Sequence, residues 1–223
     1  MIGEKIKPGI TTFELDKLAY ENITAHNAYP VFLGYNDFPA SICVSINDEV
    51  IHGIPAKERV LKDGDIVSID LGVKYNGYIA DSAYTFAVGN VSPDAEKLMK
   101  VTYNALYKGI KAAVAGNRIG DIGYAVQSYV EDYGYDVVRA YVGHGVGKEL
   151  HEEPQVPNYG RPGTGKRLKE GMVIAIEPMV TMGSAEVMVQ NDGWTVVTED
   201  GSLAAHFEHT IAITDSEPII LTI

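Results

Sequence analysis

The chain has 223 residues, 46% hydrophobic and 22% charged, with 18 basic against 30 acidic side chains and a formal net charge of −12. That length holds one generous domain or two small ones. The acidic balance argues against broad binding to nucleic-acid phosphates and leaves two readings open, simple solubility and a carboxylate-rich site. No apolar run approaches the ~18–20 residues that cross a bilayer, and the opening MIGEKIKPGI lacks the apolar stretch of a signal peptide. The single cysteine, Cys43, excludes an internal disulfide and points to a reducing, cytoplasmic location.

Thr11-Thr12-Phe13-Glu14 has the spacing of a capping box, and Leu15, Leu18, Ala19 and Ile23 follow at helical intervals. A helix is therefore expected from Thr11 to near Asn27–Pro30, before a loop rich in aromatics, Phe32, Tyr35 and Phe38. Residues 41–51 alternate as a strand and lead into His52-Gly53-Ile54-Pro55. Ile66 to Val73 reads as a strand, Asn76-Gly77 as a tight turn and Tyr78 to Val88 as the returning strand. Ser92-Pro93-Asp94 supplies a cap, a proline at the first helical position and an acid in the first turn. That helix is predicted to run to about Ala115, with Gly116 as terminator. Ile122, Ala125, Val126, Tyr129 and Val130 form the apolar face of another helix. From about Val173 the chain reads as strands, over 173–181, 187–190, 193–198 and 204–213.

One stretch is written twice. Leu61–Asp70 (LKDGDIVSID) and Leu168–Glu177 (LKEGMVIAIE) align without a gap 107 positions apart, with four identities and five close swaps. Each copy ends an apolar strand on a carboxylate. Gly9, Leu15 and Leu18 map by the same offset onto Gly116, Ile122 and Ala125, again a loop followed by an amphipathic helix. A common turn before a buried strand would explain the decapeptides alone. With the helix in register, the pattern reads as an internal duplication, two similar halves packed about a pseudo-twofold axis. No linker separates them, so a single domain over 1–223 is expected, with halves of about 1–90 and 91–223.

The hairpin at Asn76-Gly77 sets the geometry of the first half. A two-residue turn pairs 75 with 78 and 72 with 81, which puts Asp81 opposite Gly72 on the face that carries Asp70. The two carboxylates are then diagonal neighbours at roughly 7–8 Å between backbones, with a glycine leaving room between them. Two acids on one apolar face repel and desolvate each other, and a cation between them removes that cost. Register in the second half supplies Glu177, and Glu208 in His206-Phe207-Glu208-His209-Thr210 is the candidate for its partner. Four carboxylates from four strands suit two divalent metals. Histidine candidates lie in Gly143-His144-Gly145-Val146-Gly147 and at His151; a ligand or catalytic role for His144 and an incidental glycine-rich turn are both open. The Gly-x-Gly lacks the ending of a phosphate loop.

Taken in order, His52-Gly53-Ile54-Pro55, Asp70 and Asp81 eleven apart, the Gly-His-Gly-Val-Gly loop with His151 seven beyond His144, Ile176-Glu177-Pro178-Met179 and Phe207-Glu208-His209-Thr210 resemble the type I methionine aminopeptidases of the creatinase/aminopeptidase family. The resemblance covers nearly the whole chain. It implies an α+β pita-bread fold, two pseudo-twofold-related halves with antiparallel sheet covered by helices. It implies metal ligation by Asp70, Asp81, His144, Glu177 and Glu208, with two divalent ions per chain drawn from Co, Mn, Fe, Zn or Ni. His151 matches the histidine that steadies substrate and tetrahedral intermediate, and His52 the one that contacts substrate near the scissile amide. A methionine pocket maps onto Tyr35, Phe38, Cys43 and Trp194, with Phe32 and Leu150 as further candidates. Family members carry further chain ahead of the helix near Thr11, so an amino-terminal helix is expected to be missing. Phe32 stands where relatives often have a smaller residue, which would narrow the pocket. For His206, a place behind the ligands and a place on the surface are both open, and ligation is not expected.

The implied activity is removal of the initiator methionine from nascent chains by a water bridging two metals, with Glu177 as general base and His151 on the oxyanion. The partners it implies are the amino termini of nascent polypeptides, with ribosome association open, a monomer expected, and neither nucleic-acid readout nor a membrane. An X-Pro-directed aminopeptidase of the same fold and a non-catalytic peptide-binding relative are the alternatives. The Ile-Glu-Pro-Met and His-Gly-Ile-Pro stretches disfavour the first, and the complete ligand set disfavours the second.

Overall fold

Thr11 starts the first helix as its spacing predicts. Its side chain accepts from the Glu14 N–H at 3.1 Å while Glu14 Oε2 accepts from the Thr11 N–H at 2.8 Å, so two otherwise orphaned donors are satisfied. The computed structural model describes residues 2–222. The first half contains α1 (Thr12–Ala25), β1 (Tyr29–Pro30), β2 (Cys43–Ile46), β3 (Glu49–Ile51), β4 (Ile66–Tyr75) and β5 (Tyr78–Ala87). Then come α2 (Pro93–Ala112), α3 (Ile119–Glu131), β6 (Asp136–Val137), β7 (Gly143–Gly145), β8 (Glu152–Val156) and β9 (Val173–Ile176). The chain closes with β10 (Met179–Thr181), β11 (Val187–Val189), β12 (Val196–Thr198), β13 (Ala204–His206), β14 (His209–Ala212) and β15 (Ile219–Ile220).

All strand pairs are antiparallel. In the first half β4 pairs with β5 on one side and with β1 and β2 on the other, and α1 buries Leu15 and Ala19 against this sheet. In the second half β15-β14-β9-β7-β8 form a sheet covered by α2 and α3, whose Leu98, Leu106, Ile122 and Val126 pack with Ile174, Ile176 and Ile211 in the largest core cluster. Two three-stranded sheets, β13-β10-β6 and β11-β12-β3, complete the architecture.

The 107-residue echo recurs as hydrogen bonds. The Gly9 N–H donates to the Leu61 carbonyl at 2.8 Å, and the Gly116 N–H to the Leu168 carbonyl at 3.1 Å. Thr12 to Arg59 recurs as Ile119 to Lys166, and Leu61 to Ile10 as Leu168 to Asn117. The isolated bridges Thr11–Val60 and Arg118–Arg167 keep the same offset. Gly9 and Gly116 both take φ near +95° (93° and 98°), a conformation side-chain-bearing residues rarely adopt, which explains a glycine in both copies.

The β4–β5 hairpin has the predicted register, Tyr75 opposite Tyr78 and Gly72 opposite Asp81, with Asn76 and Gly77 both at positive φ as the tight turn requires. Three predicted strands are broken in the structure. Residues 41–51 turn at Asn47 (φ 59°), giving β2 and β3. Residues 173–181 split at Glu177-Pro178, because a proline cannot donate to a ladder; β9 pairs with β14, and β10 with β13. Residues 204–213 split opposite, at Phe207-Glu208, where β13 passes into β14. Short strands β1, β6, β7, β8 and β15 carry no sequence alternation and were not foreseen.

Candidate active site

Glu177 and Glu208 both sit where a strand leaves one sheet for another. Their backbones find partners there: the Asn158 amide donates to the Glu177 carbonyl at 3.0 Å, and the Glu208 N–H donates to the Ala83 carbonyl at 2.9 Å. The second contact draws Glu208 onto β5, next to Asp81. Thr210, fully buried, ties the same junction, accepting from the Asp81 N–H at 2.9 Å and donating to the Asp81 carbonyl at 2.8 Å. Asp70 stands opposite Cys43 on one side and Ala83 on the other. Tertiary packing thus brings together four acids that are up to 138 positions apart in the chain.

These acids, with His144, line a cavity of about 390 Å³. Asp81, His144 and Glu208 each offer a donor atom within 4.8 Å of the others. His144 Nε2 is 3.8 Å from Asp81 Oδ2 and 3.5 Å from Glu177 Oε1. His144 Nδ1 donates to the Gly145 carbonyl at 2.9 Å, which puts the proton on that nitrogen and leaves the Nε2 lone pair facing the carboxylates, as in a ligating imidazole.

Electrostatics argue for a cation. Asp70, Glu177 and Glu208 are pushed well above the ordinary carboxylate range, first by burial and then by neighbouring acids; Asp81 is pushed up to about 7 by burial. Asp70 Oδ1 and Glu208 Oε1 are buried without a hydrogen-bond partner. Divalent cations would satisfy those oxygens and keep the acids ionised, so the donor set, hard carboxylates with one imidazole, fits transition-metal ions.

Aromatic and apolar residues line the same cavity. Phe38 and Trp194 meet edge to face at 5.1 Å, with Cys43, Phe32 and Leu150 in the same cluster. Gly72 makes room in an unforeseen way: a Cβ there would lie 2.6 Å from Val31 and 2.8 Å from Phe32, so the glycine admits these side chains rather than a gap between carboxylates. His52 adopts φ 60°, strained for a non-glycine residue, and is pushed down to about 4 by burial and by His151. The Tyr35 hydroxyl lies 2.8 Å from His151 Nδ1, and the His151 ring is 4.4 Å from that of His144. Every residue named from the sequence as ligand, catalytic group or pocket wall lines this one cavity. Ile51, Asn36, Tyr141 and Val142 also line it and were missed. Tyr141, edge-on to His52 at 5.7 Å, lies only three residues before His144, and that proximity was the available signal.

Residues 1–215 match the signature of Metallopeptidase family M24. "Methionine aminopeptidase" of Clostridium acetobutylicum is 59% identical over all of this chain and 89% of its own length, and "Methionine aminopeptidase 1" of Bacillus subtilis is 58% identical over 99% and 89%. The crystal structure of methionine aminopeptidase from Rickettsia prowazekii superposes with a TM-score of 0.98 at 48% identity, covering all of this chain and 90% of that one. A prolidase from Pyrococcus horikoshii, 24% identical, matches with a TM-score of 0.76 over all of this chain and 56% of its own, a likeness of fold alone. The fold is the pita-bread fold these structures share, and the chain belongs to metallopeptidase family M24.

Proposed function

We propose that residues 1–223 act as one metallopeptidase domain, a methionyl aminopeptidase that removes the initiator methionine from nascent polypeptides in the cytoplasm. One observation carries the reading: a buried cluster of carboxylates with a correctly turned imidazole lines the same cavity as a set of apolar and aromatic side chains. Asp70, Asp81, His144, Glu177 and Glu208 would hold the metal, two divalent ions of the Co, Mn, Fe, Zn or Ni type. Such ions supply Lewis acidity, acidifying water and polarising a carbonyl.

The remaining work falls to side chains. Glu177 takes the proton of the attacking water and passes it to the leaving amine. With the Tyr35 hydroxyl 2.8 Å from its Nδ1, His151 acts in this reading as the Nε2–H tautomer, which donates to the developing oxyanion. His52, neutral and held by Tyr141 and Trp194, contacts the scissile amide. The substrate's thioether lies against Phe38, Trp194 and Cys43, where a soft, unbranched side chain fits an aromatic-edged pocket. Acidic groups around the substrate's free amine restrict cleavage to the first residue. Among the described residues no helix is long and apolar enough to cross a membrane.

The test is metal analysis of the purified protein, followed by release of methionine from a methionyl-alanyl peptide against cleavage of an X-Pro peptide. Methionine release dependent on Mn²⁺, Fe²⁺, Co²⁺ or Zn²⁺ supports the reading. Cleavage of the X-Pro peptide alone, or no cleavage with any ion, overturns it.

A further inference from the structure

His206 is buried, 1% exposed, and both of its ring nitrogens lack a hydrogen-bond partner. Its place in the fold is symmetric. Gly72 of β4 faces Asp81 of β5, and Met179 of β10, which lies 107 residues beyond Gly72, faces His206 of β13. His206 thus holds the second-half position of Asp81, while Glu208 lies two residues further along. Thr85 fixes the His206 backbone on both sides, accepting from its N–H at 2.9 Å and donating to its carbonyl at 2.8 Å. The imidazole Nε2 lies 3.9 Å from Glu177 Oε2, while the other oxygen of that carboxylate faces His144 Nε2 at 3.5 Å.

An imidazole buried away from bulk solvent has an N–H that must find an acceptor, and the carboxylate within reach is Glu177. A contact of 3.9 Å closes by a slight ring rotation or through one water. We propose that His206 is a positioning residue: its Nε2–H holds Glu177 Oε2, so that Oε1 stays turned toward His144 and the acidic cluster. Carboxylate ligands are commonly held this way by a neighbouring donor, whose loss costs about 10- to 100-fold in metal affinity. The inference rests on the proposed metal-binding role of Glu177.

Three variants test it. H206Q places an amide N–H near the position of Nε2, H206N carries the same amide one methylene short, and H206L removes the donor at similar volume. Each is stripped with chelator, checked for folding by circular dichroism, titrated with Co²⁺ by calorimetry and by visible absorption, and assayed on the methionyl-alanyl peptide. H206L and H206N are expected to bind Co²⁺ about 10- to 100-fold more weakly and to lose kcat with little change in KM. H206Q is expected to restore both, with the wild-type Co²⁺ spectrum. Should H206L fail to fold, the contrast between H206Q and H206N carries the test. Equal Co²⁺ affinity in all folded variants overturns the proposal. An altered Co²⁺ spectrum in H206Q also overturns it, since that result makes His206 a ligand. A wild-type protein that neither binds Co²⁺ nor releases methionine fails the proposed function itself, whatever the variants do.

Discussion

Stripping the metal should make the protein's stability fall as pH rises through neutrality. Asp70, Asp81, Glu177 and Glu208 all titrate higher in the folded state than in the unfolded chain, because burial penalises their ionised forms. A group with a raised folded pKa stabilises fully below its unfolded value and loses that contribution as pH climbs through the folded one. For Asp81 the rise from 3.8 to about 7 corresponds to about 4 kcal/mol lost across that span, at about 1.4 kcal/mol per unit. Below 6.5 the buried histidines oppose this. His144 and His52, both pushed down to about 4, stabilise above their unfolded value, and that contribution is lost as pH falls from 6.5. At 6.5 the unfolded histidines are half protonated, so their opposing slope is already halved there and fades by about 7.5, leaving the acids. Each carboxyl proton kept by the folded protein and released by the unfolded one lowers stability by about 1.4 kcal/mol per pH unit. Urea denaturation of chelator-stripped protein at pH 6.5, 7.25 and 8.0 reads this slope, and a parallel series with Mn²⁺ reads the stabilisation by the cation. The expected result is a falling apo stability and a Mn²⁺ increment that grows with pH. A flat or rising apo curve, or an increment independent of pH, would refute the account of these acids as a strained cluster relieved by a cation.

Replacing Glu177 by Gln should lower methionine release by about 10²–10⁴-fold while circular dichroism stays unchanged; unimpaired turnover would remove Glu177 from the mechanism. Tyr35→Phe should free the His151 ring and reduce kcat by up to about tenfold, the upper end of what one neutral hydrogen bond contributes, which steady-state kinetics on the methionyl-alanyl peptide would detect. Thr210→Val should cost about 1–3 kcal/mol in urea denaturation by orphaning the buried Asp81 N–H, and should weaken Mn²⁺ binding in calorimetry. Trp194→Ala should raise KM for the methionyl peptide more than for an alanyl one, since Trp194 packs edge-on to Phe38 in the apolar wall.

How far the sequence reaches can be judged from particular elements. The capping box at Thr11, the start of α2 at Ser92-Pro93 and the register of β4 with β5 follow from local rules, because caps and two-residue turns act within a few residues. The 107-residue echo likewise implied equivalent strands, and the same hydrogen bonds appear in both halves. The breaks at Glu177-Pro178 and Phe207-Glu208 were not legible, although Pro178 marked one of them. An apolar run keeps the same pattern whether it crosses one sheet or passes between two, so only the pairing partners of β9 and β10 revealed the change.

The candidate site divides along the same line. Residue types, spacings and the hairpin register determined which carboxylates and histidines could converge, because strand alternation and turn geometry constrain direction locally. Tertiary structure alone decided the rest. The Thr210 and Ala83 contacts draw the second half's acid onto β5, Tyr35 reaches across 116 residues to set the His151 ring, and Gly72 admits Phe32 rather than empty space. His206 shows the limit most clearly. Its letter and strand face left surface and interior equally open, since burial belongs to what packs above a strand, and only the meeting of the two halves beneath Glu177 closes it from solvent.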